Sequence, residues 1–348
     1  MIFKEIEEKS LKNELLTKEE ALAVLQTPDS YLVDLVASAK RVREKYFGKK
    51  VKLNFLVNVK SGLCPEDCRY CSQSKDSQAP IPKYSLMSSK EIVSHVERGI
   101  EVGAVRTCLV ASGRGPNDRE LDEFCEAVKS LKSSHPKMQV CACLGLLKEG
   151  QSDKLKQSGV HAYNHNINTS ESFYDEICGT HTYQDRLKTI ERAQMSGLSS
   201  CCGVLVGMGE TNQDLAHMAF TLRERKVDSI PINFLISIDK TPLEKTLLLN
   251  PTKCLKILAL FRFVNPTVEI RIAGGRELNL RSLQPMGLMM ANSLFIGDYL
   301  TTEGQTPSTD LEMIRDLGYE LLGQPSDFLN NVLSHPSPKL KPKEPLPV

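Results

Sequence analysis

The chain has 348 residues, of which 41% are hydrophobic, enough for one large core of the size that a single barrel with extensions needs. Its 44 basic and 43 acidic residues give a formal net charge of +1, so neither nucleic acid nor a membrane surface is a predicted partner. The acidic N-terminus lacks a signal peptide's apolar core, and no apolar run approaches the roughly 20 residues of a spanning helix, so a cytoplasmic protein is expected.

Residues 1–50 are predicted to form a helical extension. Thr17 and the acidic turn that follows it match a helix N-cap, and residues 31–48 carry apolar side chains at helical spacing. At the other end, residues 326–348 are predicted to be a disordered tail. The last fourteen residues, from His335, contain five prolines and three lysines and cannot bury apolar surface.

Between these ends, β-type apolar runs alternate with helical segments. The eight candidate strands are 51–58, 105–111, 138–144, 160–167, 201–207, 229–235, 268–274 and 292–300. Candidate helices include 88–102, 118–132, 183–196 and 251–264. Eight strands separated by helices predict an α/β fold, a TIM-type (β/α)8 barrel over residues 51–325. A doubly wound open sheet is the alternative, and it is disfavoured because no Gly-rich dinucleotide turn follows the first strand.

Three of the eleven cysteines follow the first strand in the spacing Cys-x3-Cys-x2-Cys, at Cys64, Cys68 and Cys71. Three thiolates within eight residues can bind three irons of a cubane cluster and leave the fourth iron open for chemistry. A structural zinc site is the alternative, but paired Cys-x2-Cys halves with a fourth ligand are not evident. The loop also follows a barrel strand, where barrel enzymes have their active sites.

Three further cysteines, Cys108, Cys141 and Cys201, lie within predicted strands. Each alone is typical of a buried core cysteine. In a barrel, however, inward-facing residues of different strands meet in layers, so three cysteines could hold a second cluster. Periodicity does not identify the ligands uniquely, because Cys143 shares a strand face with Cys141 and Cys202 adjoins Cys201. Whether Cys143 or Cys202 assists such a cluster therefore stays open.

Arg271 lies in an otherwise apolar predicted strand. The direct interpretation is that it binds a carboxylate inside the barrel, since the guanidinium fork suits that partner. Burial of the charge requires a partner of some kind.

The first cysteine motif resembles the signature of the radical S-adenosylmethionine superfamily. The resemblance implies that Cys64, Cys68 and Cys71 bind a 4Fe–4S cluster, whose open iron is chelated by the amino and carboxylate groups of S-adenosylmethionine. One electron then cleaves the sulfonium and releases a 5′-deoxyadenosyl radical. The resemblance also implies that Tyr70 lies against the adenine.

Segments along residues 20–320 are similar, in the same order, to those of the biotin synthase family. They include YNHNINTS, GMGET, PINFL, IRIAGGRE and ANSLFIGDYLTT. This resemblance implies a 2Fe–2S cluster bound by Cys108, Cys141, Cys201 and Arg271, with Arg271 also among the catalytic and substrate-binding residues. The other cysteines are interpreted as structural: Cys125, Cys143, Cys178, Cys202 and Cys254.

The same resemblance assigns residues to the two small molecules. The substrate is assigned to Asn164, Asn166 and Asn233, with Asn233 bonded to its ureido ring. S-adenosylmethionine is assigned to Tyr70, Asn166, Asn168, Arg186, Gly207 and Glu210, with Arg186 paired with the carboxylate. Asn168 departs from family members that carry aspartate, and an amide both donates and accepts without a charge, so this contact is less defined than that of Asn166.

The implied reaction converts dethiobiotin to biotin by inserting sulfur between a methyl and a methylene carbon. Neither carbon is acidic, so a carbon radical is required, and two S-adenosylmethionine molecules are expected per product, with sulfur from the 2Fe–2S cluster. The protein then positions the reactants and excludes water and oxygen. The implied partners are a flavodoxin or ferredoxin electron donor, the Fe–S assembly machinery and a second copy in a homodimer.

Two alternatives remain at this point. A related radical enzyme, such as a hydrogenase-cofactor maturase or methylornithine synthase, would share the barrel and the first cluster, but is not expected to keep all of Cys108, Cys141, Cys201 and Arg271. A non-enzymatic Fe–S carrier would need no open iron site.

Overall fold

The N-terminal extension is helical, as predicted. The computed structural model describes residues 2–334. In it, three helices and a short 3-10 helix precede the first strand: α1 (Ile2–Leu11), α2 (Lys18–Leu25), Asp29–Tyr31 (3-10) and α3 (Leu32–Phe47). The Thr17 side chain accepts from the backbone N–H of Glu20, whose carboxylate accepts from the Thr17 N–H, which confirms the predicted cap. Arg43 of α3 is buried and donates to the backbone oxygen of Ala291, so the extension packs on the main domain.

The main domain is a closed ring of parallel strands. Its strand segments are β1 (Lys50–Lys60), β2 (Arg106–Ala111), β3 (Gln139–Cys143), β4 (Ala162–Asn164), β5 (Ser199–Cys201), β6 (Val204–Val206), β7 (Ser229–Phe234), β8 (Glu269–Ile272), β9 (Ser293–Ile296) and β10 (Glu320–Leu321). The order is β1-β2-β3-β4-β5-β7-β8-β9, and β9 pairs back with β1 in parallel. The closure confirms the TIM-type barrel and excludes the open sheet.

The predicted strand 201–207 is wrong in one respect, because it is broken into β5 and β6. Both segments pair with β7 and together fill one position of the barrel. A Cβ atom at Gly203 would lie 1.9 Å from the backbone oxygen of Pro231, so the chain passes too close to β7 for any residue but glycine. The short β10 was not predicted, and it extends the sheet by pairing with the start of β1.

Helices alternate with the strands around the barrel. They are α4 (Ser89–Glu101), α5 (Asp118–Ser134), α6 (Gln151–Gln157), Glu171–Glu176 (3-10), α7 (Tyr183–Met195), α8 (Asn212–Glu224), α9 (Pro251–Val264), α10 (Arg276–Leu280), Arg281–Leu283 (3-10), α11 (Gln284–Met290), α12 (Pro307–Asp316) and α13 (Phe328–Ser334). The four predicted helices agree with α4, α5, α7 and α9 to within two residues at each end. None of the helices within residues 2–334 is long and apolar enough to cross a membrane.

The C-terminal prediction needs a correction. Disorder was expected from residue 326, but residues 328–334 form α13, and Leu329 is buried against the core. An apolar side chain every three to four residues lets this short segment pack as a helix. The Pro- and Lys-rich stretch 335–348 lies outside the described residues.

A polar layer fills the barrel interior near the first residues of the strands. Lys52 Nζ lies 2.8 Å from Gln139 Oε1 and 3.3 Å from a carboxylate oxygen of Glu269. Arg106 also donates to Gln139 and lies 3.7 Å from Glu269. Because β2 and β8 are not neighbours in the sheet, these contacts cross the interior. The layer closes this end of the barrel, and the opposite end is left for a cavity.

Candidate active site at the open end of the barrel

A cavity of about 370 Å³ opens at the C-terminal ends of the strands. Its walls come from the segments that follow β1, β2, β3, β4, β7, β8 and β9. Cys64, Cys68 and Cys71 line it, and so does Cys108 from deeper in the barrel. Both predicted sets of cysteines therefore meet the same cavity, at the end where barrels hold their chemistry.

The first cysteine motif is a loop closed by hydrogen bonds from its own backbone N–H groups. The N–H of Cys71 donates to the oxygen of Cys68 (3.0 Å), and the N–H of Gly62 donates to Oε1 of Gln73 (2.9 Å). Burial raises the pKa of the Cys71 thiol to about 11 and that of Cys64 above its ordinary value. Such thiols stay protonated at neutral pH until a metal displaces the proton. Three thiols on one cavity wall, that of Cys68 buried and those of Cys64 and Cys71 half-buried, fit a cluster with three protein ligands.

Tyr70 and Asn168 lie together on the cavity wall. Asn168 Nδ2 donates to the Tyr70 hydroxyl at 2.5 Å. The backbone of Asn168 is left-handed, with φ of 65°, a conformation that asparagine tolerates better than most residues. Two residues that were assigned separately to S-adenosylmethionine are thus neighbours, and the Asn168 amide is bonded to Tyr70 rather than free.

Arg186 of α7 reaches the cavity and is 7% exposed. Its Nη1 donates to the backbone oxygen of Asn166 (3.0 Å), and Nε contacts the Tyr174 hydroxyl. Among residues 2–334, no carboxylate lies within 4.0 Å of this guanidinium in an ion pair. A buried cation without an acidic neighbour suits an anionic ligand in the cavity.

The polar run at the end of β4 also faces the cavity. Asn164 Nδ2 lies 3.2 Å from the Cys201 sulfur, and Asn166 Oδ1 accepts from the backbone N–H of Gly203 (3.0 Å). His165, which was not predicted, is buried on the same wall, and its Nε2 has no hydrogen-bond partner among the described residues. Burial, together with nearby positive charge, holds the pKa of His165 well below its ordinary value, so the ring is neutral. An unpaired buried nitrogen beside two amides fits a polar ligand.

Asn233 of β7 lines the cavity opposite this run. Its Nδ2 donates to the backbone oxygen of Val204 (3.1 Å), and its Oδ1 accepts from the N–H of Gly274 (3.1 Å). The amide therefore ties three neighbouring segments together and is fixed in orientation before any ligand binds.

Two of the predicted cofactor contacts lie elsewhere. Glu210 accepts from the backbone N–H groups of Gly207 (2.6 Å) and Met208 (2.8 Å) and so shapes the turn after β6. Neither Gly207 nor Glu210 lines the cavity, whereas Leu205 of β6 does. The segment therefore meets the cavity through Leu205, whereas the Glu210 carboxylate is used by its own turn.

The second set of cysteines forms a layer across the barrel. Cys108 and Cys141 are register partners on β2 and β3, and Cys201 is the register partner of Asn164 on β4. The side chains of all three cysteines pack together in the buried interior of the barrel. Arg271 Nη1 lies 3.5 Å from the Cys201 sulfur. The four predicted ligands are thus brought together. Hydrogen bonding by the Cys141 thiol, aided by Arg271, lowers the pKa of Cys201 well below its ordinary value.

The neighbouring cysteines divide by face, as strand alternation requires. Cys202 packs into the core outside the barrel, whereas Cys143 faces the cavity. Cys178, interpreted as structural, lies 3.7 Å from Cys68, sulfur to sulfur. No local pattern could have revealed this contact, because 110 residues separate the two.

Glu269 forms a buried ion pair with Arg271 in the polar layer of the barrel. Its carboxylate lies 2.5 Å from Arg271 Nη2 and also faces Lys52 and Arg106. Burial opposes ionisation of Glu269, but the three cations outweigh it and hold the pKa of the carboxyl well below its ordinary value. The carboxylate partner predicted for Arg271 is therefore confirmed. Glu269 lies two residues before Arg271, and residues two apart on a strand share a face, so the sequence alone could have identified this partner.

Comparisons with known proteins agree with this geometry. The Radical SAM superfamily model matches residues 58–222, and the Biotin and Thiamin Synthesis associated domain model matches residues 231–320. Biotin synthase of Saccharopolyspora erythraea is 56% identical over 90% of this chain and 88% of its own length. Biotin synthases of Streptomyces avermitilis and Bacillus licheniformis are 54% and 52% identical, each over 91% of this chain and over 81% and 95% of their own lengths.

Solved structures of lower identity share the fold. Methylornithine synthase is 18% identical with a TM-score of 0.80, over 91% of this chain and 97% of that one. The FeFe-hydrogenase maturase HydG from Carboxydothermus hydrogenoformans is 19% identical with a TM-score of 0.78, over 92% of this chain and 79% of that one. At such identities the likeness supports the barrel alone.

Proposed function

The chain belongs to the biotin synthase family, and we propose which of its residues carry the family's reaction. That reaction is the radical insertion of sulfur into dethiobiotin to form biotin. Its cofactors are a 4Fe–4S cluster, S-adenosylmethionine and a 2Fe–2S cluster. The observation that carries the assignment is that the first three cysteines line one cavity, and that Cys108, which packs with Cys141 and Cys201, lines the same cavity. A radical made at the mouth of this cavity must reach a substrate held against the sulfur source.

The mouth of the cavity is assigned to S-adenosylmethionine. Cys64, Cys68 and Cys71 would hold the 4Fe–4S cluster. Together with S-adenosylmethionine, this cluster would supply a radical that can abstract hydrogen atoms from carbons too weakly acidic for a base to deprotonate. Tyr70 packs beside the adenine, and Arg186 binds the carboxylate with its unpaired charge. The buried walls exclude water from the site.

Replacing Arg186 with glutamine is expected to weaken S-adenosylmethionine binding by roughly 10- to 150-fold, because a charge-assisted hydrogen bond contributes about 1.5–3 kcal/mol. Anaerobic equilibrium dialysis with the labelled cofactor measures the change. Arg192→Gln on the same helix is the matched control, since Arg192 is exposed and does not line the cavity. Equal affinity of the two variants would remove Arg186 from the site.

The floor of the cavity is assigned to the sulfur source. Cys108, Cys141, Cys201 and Arg271 hold the 2Fe–2S cluster, which supplies the sulfur atom that becomes part of the product. Arg271 is kept in place by Glu269, and its positive charge offsets that of nearby thiolates. The residues assigned to S-adenosylmethionine at the mouth and those assigned to the 2Fe–2S cluster at the floor are therefore proposed to act on the substrate from opposite sides.

Replacing Glu269 with glutamine is expected to lower the free energy of unfolding by about 3–5 kcal/mol, because it leaves three buried cations without their counter-charge. Denaturant unfolding of the cluster-free protein measures the loss. Glu320→Gln is the control: its ion pair with Lys50 is about half exposed and screened by water, so we expect a much smaller loss there. Similar losses in the two variants would contradict a central role for Glu269.

Dethiobiotin is assigned to the space between the two clusters. Asn164, Asn166 and Asn233 present amides whose orientation the backbone already fixes, and these suit the donors and acceptors of a ureido ring. We add His165, which lines the same cavity and whose buried Nε2 has no hydrogen-bond partner among the described residues. Asn168 is assigned to the ribose through its place beside Tyr70.

The reaction is tested with anaerobically reconstituted protein, S-adenosylmethionine, a low-potential reductant and dethiobiotin, with products measured by mass spectrometry. Biotin with about two deoxyadenosines per molecule, one for each C–H bond broken, is the expected result. Deoxyadenosine without biotin would keep the radical chemistry and move the substrate to that of a relative.

Several further assignments belong to the same proposal. The electron donor is a flavodoxin or ferredoxin, and Leu63, which is 74% exposed beside Cys64, gives such a donor a surface near the first motif. The Fe–S assembly machinery loads the clusters, and the working form is a cytoplasmic homodimer. Residues 1–50 are treated as an extension of the barrel domain 51–325, and light scattering of the loaded protein tests the dimer.

A further inference from the structure

One cysteine and one histidine outside the assigned cluster ligands converge on Cys68. The Cys178 sulfur lies 3.7 Å from the Cys68 sulfur, and His181 Nε2 lies 3.9 Å from the Cys178 sulfur. Ligand atoms of the three residues lie within 4.8 Å of one another, and all three side chains are buried. Among the Cys, His, Asp and Glu residues of the described chain, this is the one group of three at that spacing.

These distances match the ligand shell of a single tetrahedral ion. With zinc–sulfur bonds of about 2.3 Å, two thiolates on one ion lie about 3.8 Å apart, and a thiolate and an imidazole lie about 3.5 Å apart. The observed separations are 3.7 Å and 3.9 Å. A disulfide needs sulfur atoms about 2.05 Å apart, so the arrangement is closer to metal binding than to oxidation.

The surroundings of His181 support coordination. Glu66 Oε2 lies 2.5 Å from Nδ1 of the ring, and this carboxylate is in turn bonded by Thr180 Oγ1 (2.5 Å) and Arg114 Nη1 (3.1 Å). Metal-bound histidines almost always donate their second ring nitrogen to such a partner. The bond to Glu66 occupies Nδ1, which lies 3.3 Å from the Cys178 sulfur, and leaves Nε2, 3.9 Å from the same sulfur, as the ring nitrogen free to coordinate.

We propose that Cys68, Cys178 and His181 form a binding site for a thiophilic divalent cation of the zinc type, filled while the first cluster is absent. Two thiolates and an imidazole are the donor set that such an ion prefers. Both cysteines bind the ion as thiolates, so binding releases the remaining thiol proton of the pair to solvent and transfers no electrons. Because Cys68 is assigned to the 4Fe–4S cluster, the cation and the cluster exclude each other, and this consequence rests on the proposed function.

The site is tested by titrating the complete, cluster-free protein with Co²⁺ under anaerobic conditions and then with Zn²⁺. We expect one tight Co²⁺ site with thiolate-to-metal charge transfer and the strong ligand-field absorption of tetrahedral cobalt, both removed by Zn²⁺. Cys178→Ser should weaken Co²⁺ binding at least tenfold and reduce the charge-transfer absorption by about half, since one of two thiolates is lost. Cys125→Ser is the matched control, because Cys125 is another buried cysteine, on α5 and away from the cavity.

Wild-type affinity and absorption in Cys178→Ser would overturn the proposal and place the ion on Cys64, Cys68 and Cys71. His181→Gln is the second variant, since its amide can still bond to Glu66, and it should also weaken Co²⁺ binding. Circular dichroism and thermal unfolding of each variant confirm that the fold is kept, so that a loss of binding reports the ligands.

The competition is read from iron and sulfide content after reconstitution with and without bound Zn²⁺. We expect Zn²⁺ to slow cluster loading in the wild type and to have no such effect in Cys178→Ser. If Cys178 binds Co²⁺ but Zn²⁺ leaves loading unchanged, the exclusion is overturned and with it the assignment of Cys68 to the cluster, while the metal site stands. The two proposals therefore fail by different measurements.

Discussion

Cys64→Ala is expected to reduce 5′-deoxyadenosine formation to the background of the assay. The motif offers three thiolates and no spare one on its own loop, so loss of Cys64 leaves two iron ligands where three are needed. The effect should exceed the roughly 10- to 100-fold loss that follows removal of a mere supporting group around a metal. Mass spectrometry of deoxyadenosine, alongside iron and sulfide content, measures it.

The fold should survive this change. Cys64 is half-buried on the cavity wall, and its loop is held by backbone bonds such as that from Cys71 to Cys68 rather than by the Cys64 side chain. Cys254→Ala is the control, because Cys254 is fully buried in α9 and remote from the cavity. It should lower stability yet keep deoxyadenosine formation. Normal deoxyadenosine yield from Cys64→Ala would refute the 4Fe–4S assignment.

The periodicity of apolar residues predicted the barrel well, because the spacing of these residues along the chain depends on which faces of the strands and helices are buried. The alternation of β-type runs and helices located eight barrel positions, and the Thr17 cap fixed the start of α2. The break at Gly203 was missed, since it depends on how closely the chain approaches Pro231 on another strand. A close contact between segments that are distant in sequence does not change the local pattern of apolar and polar residues.

The residues of the site also divide into those that a local sequence pattern marks and those that only tertiary contacts reveal. Cysteines with a motif spacing, and Arg271 in an apolar strand, could be recognised one by one, and the barrel then brought them together. Glu269 was within reach of the same reasoning, because it lies two residues from Arg271 on the same face. Cys178 and His165 were not, since one reaches Cys68 across 110 residues and the other is marked only by an unpaired nitrogen.

Cys141→Ala is expected to abolish biotin formation while deoxyadenosine formation continues. Cys141 is fully buried in the barrel layer, where its thiol bonds with those of Cys108 and Cys201 and where no other group replaces it. The first motif lies on a different loop and keeps all its ligands, so radical generation and sulfur insertion should separate. Iron content, visible absorption and the ratio of deoxyadenosine to biotin measure the separation.

Cys143→Ala is the matched control, because Cys143 lies two residues further along the same strand face, lines the cavity and has the same chemistry. If the ligands are those assigned, this variant keeps the second cluster and makes biotin. If it loses both while Cys141→Ala makes biotin normally, the ligand on β3 is Cys143. The comparison thus decides which layer of the barrel holds the sulfur source, and hence how far beneath the cavity mouth the substrate carbons must reach.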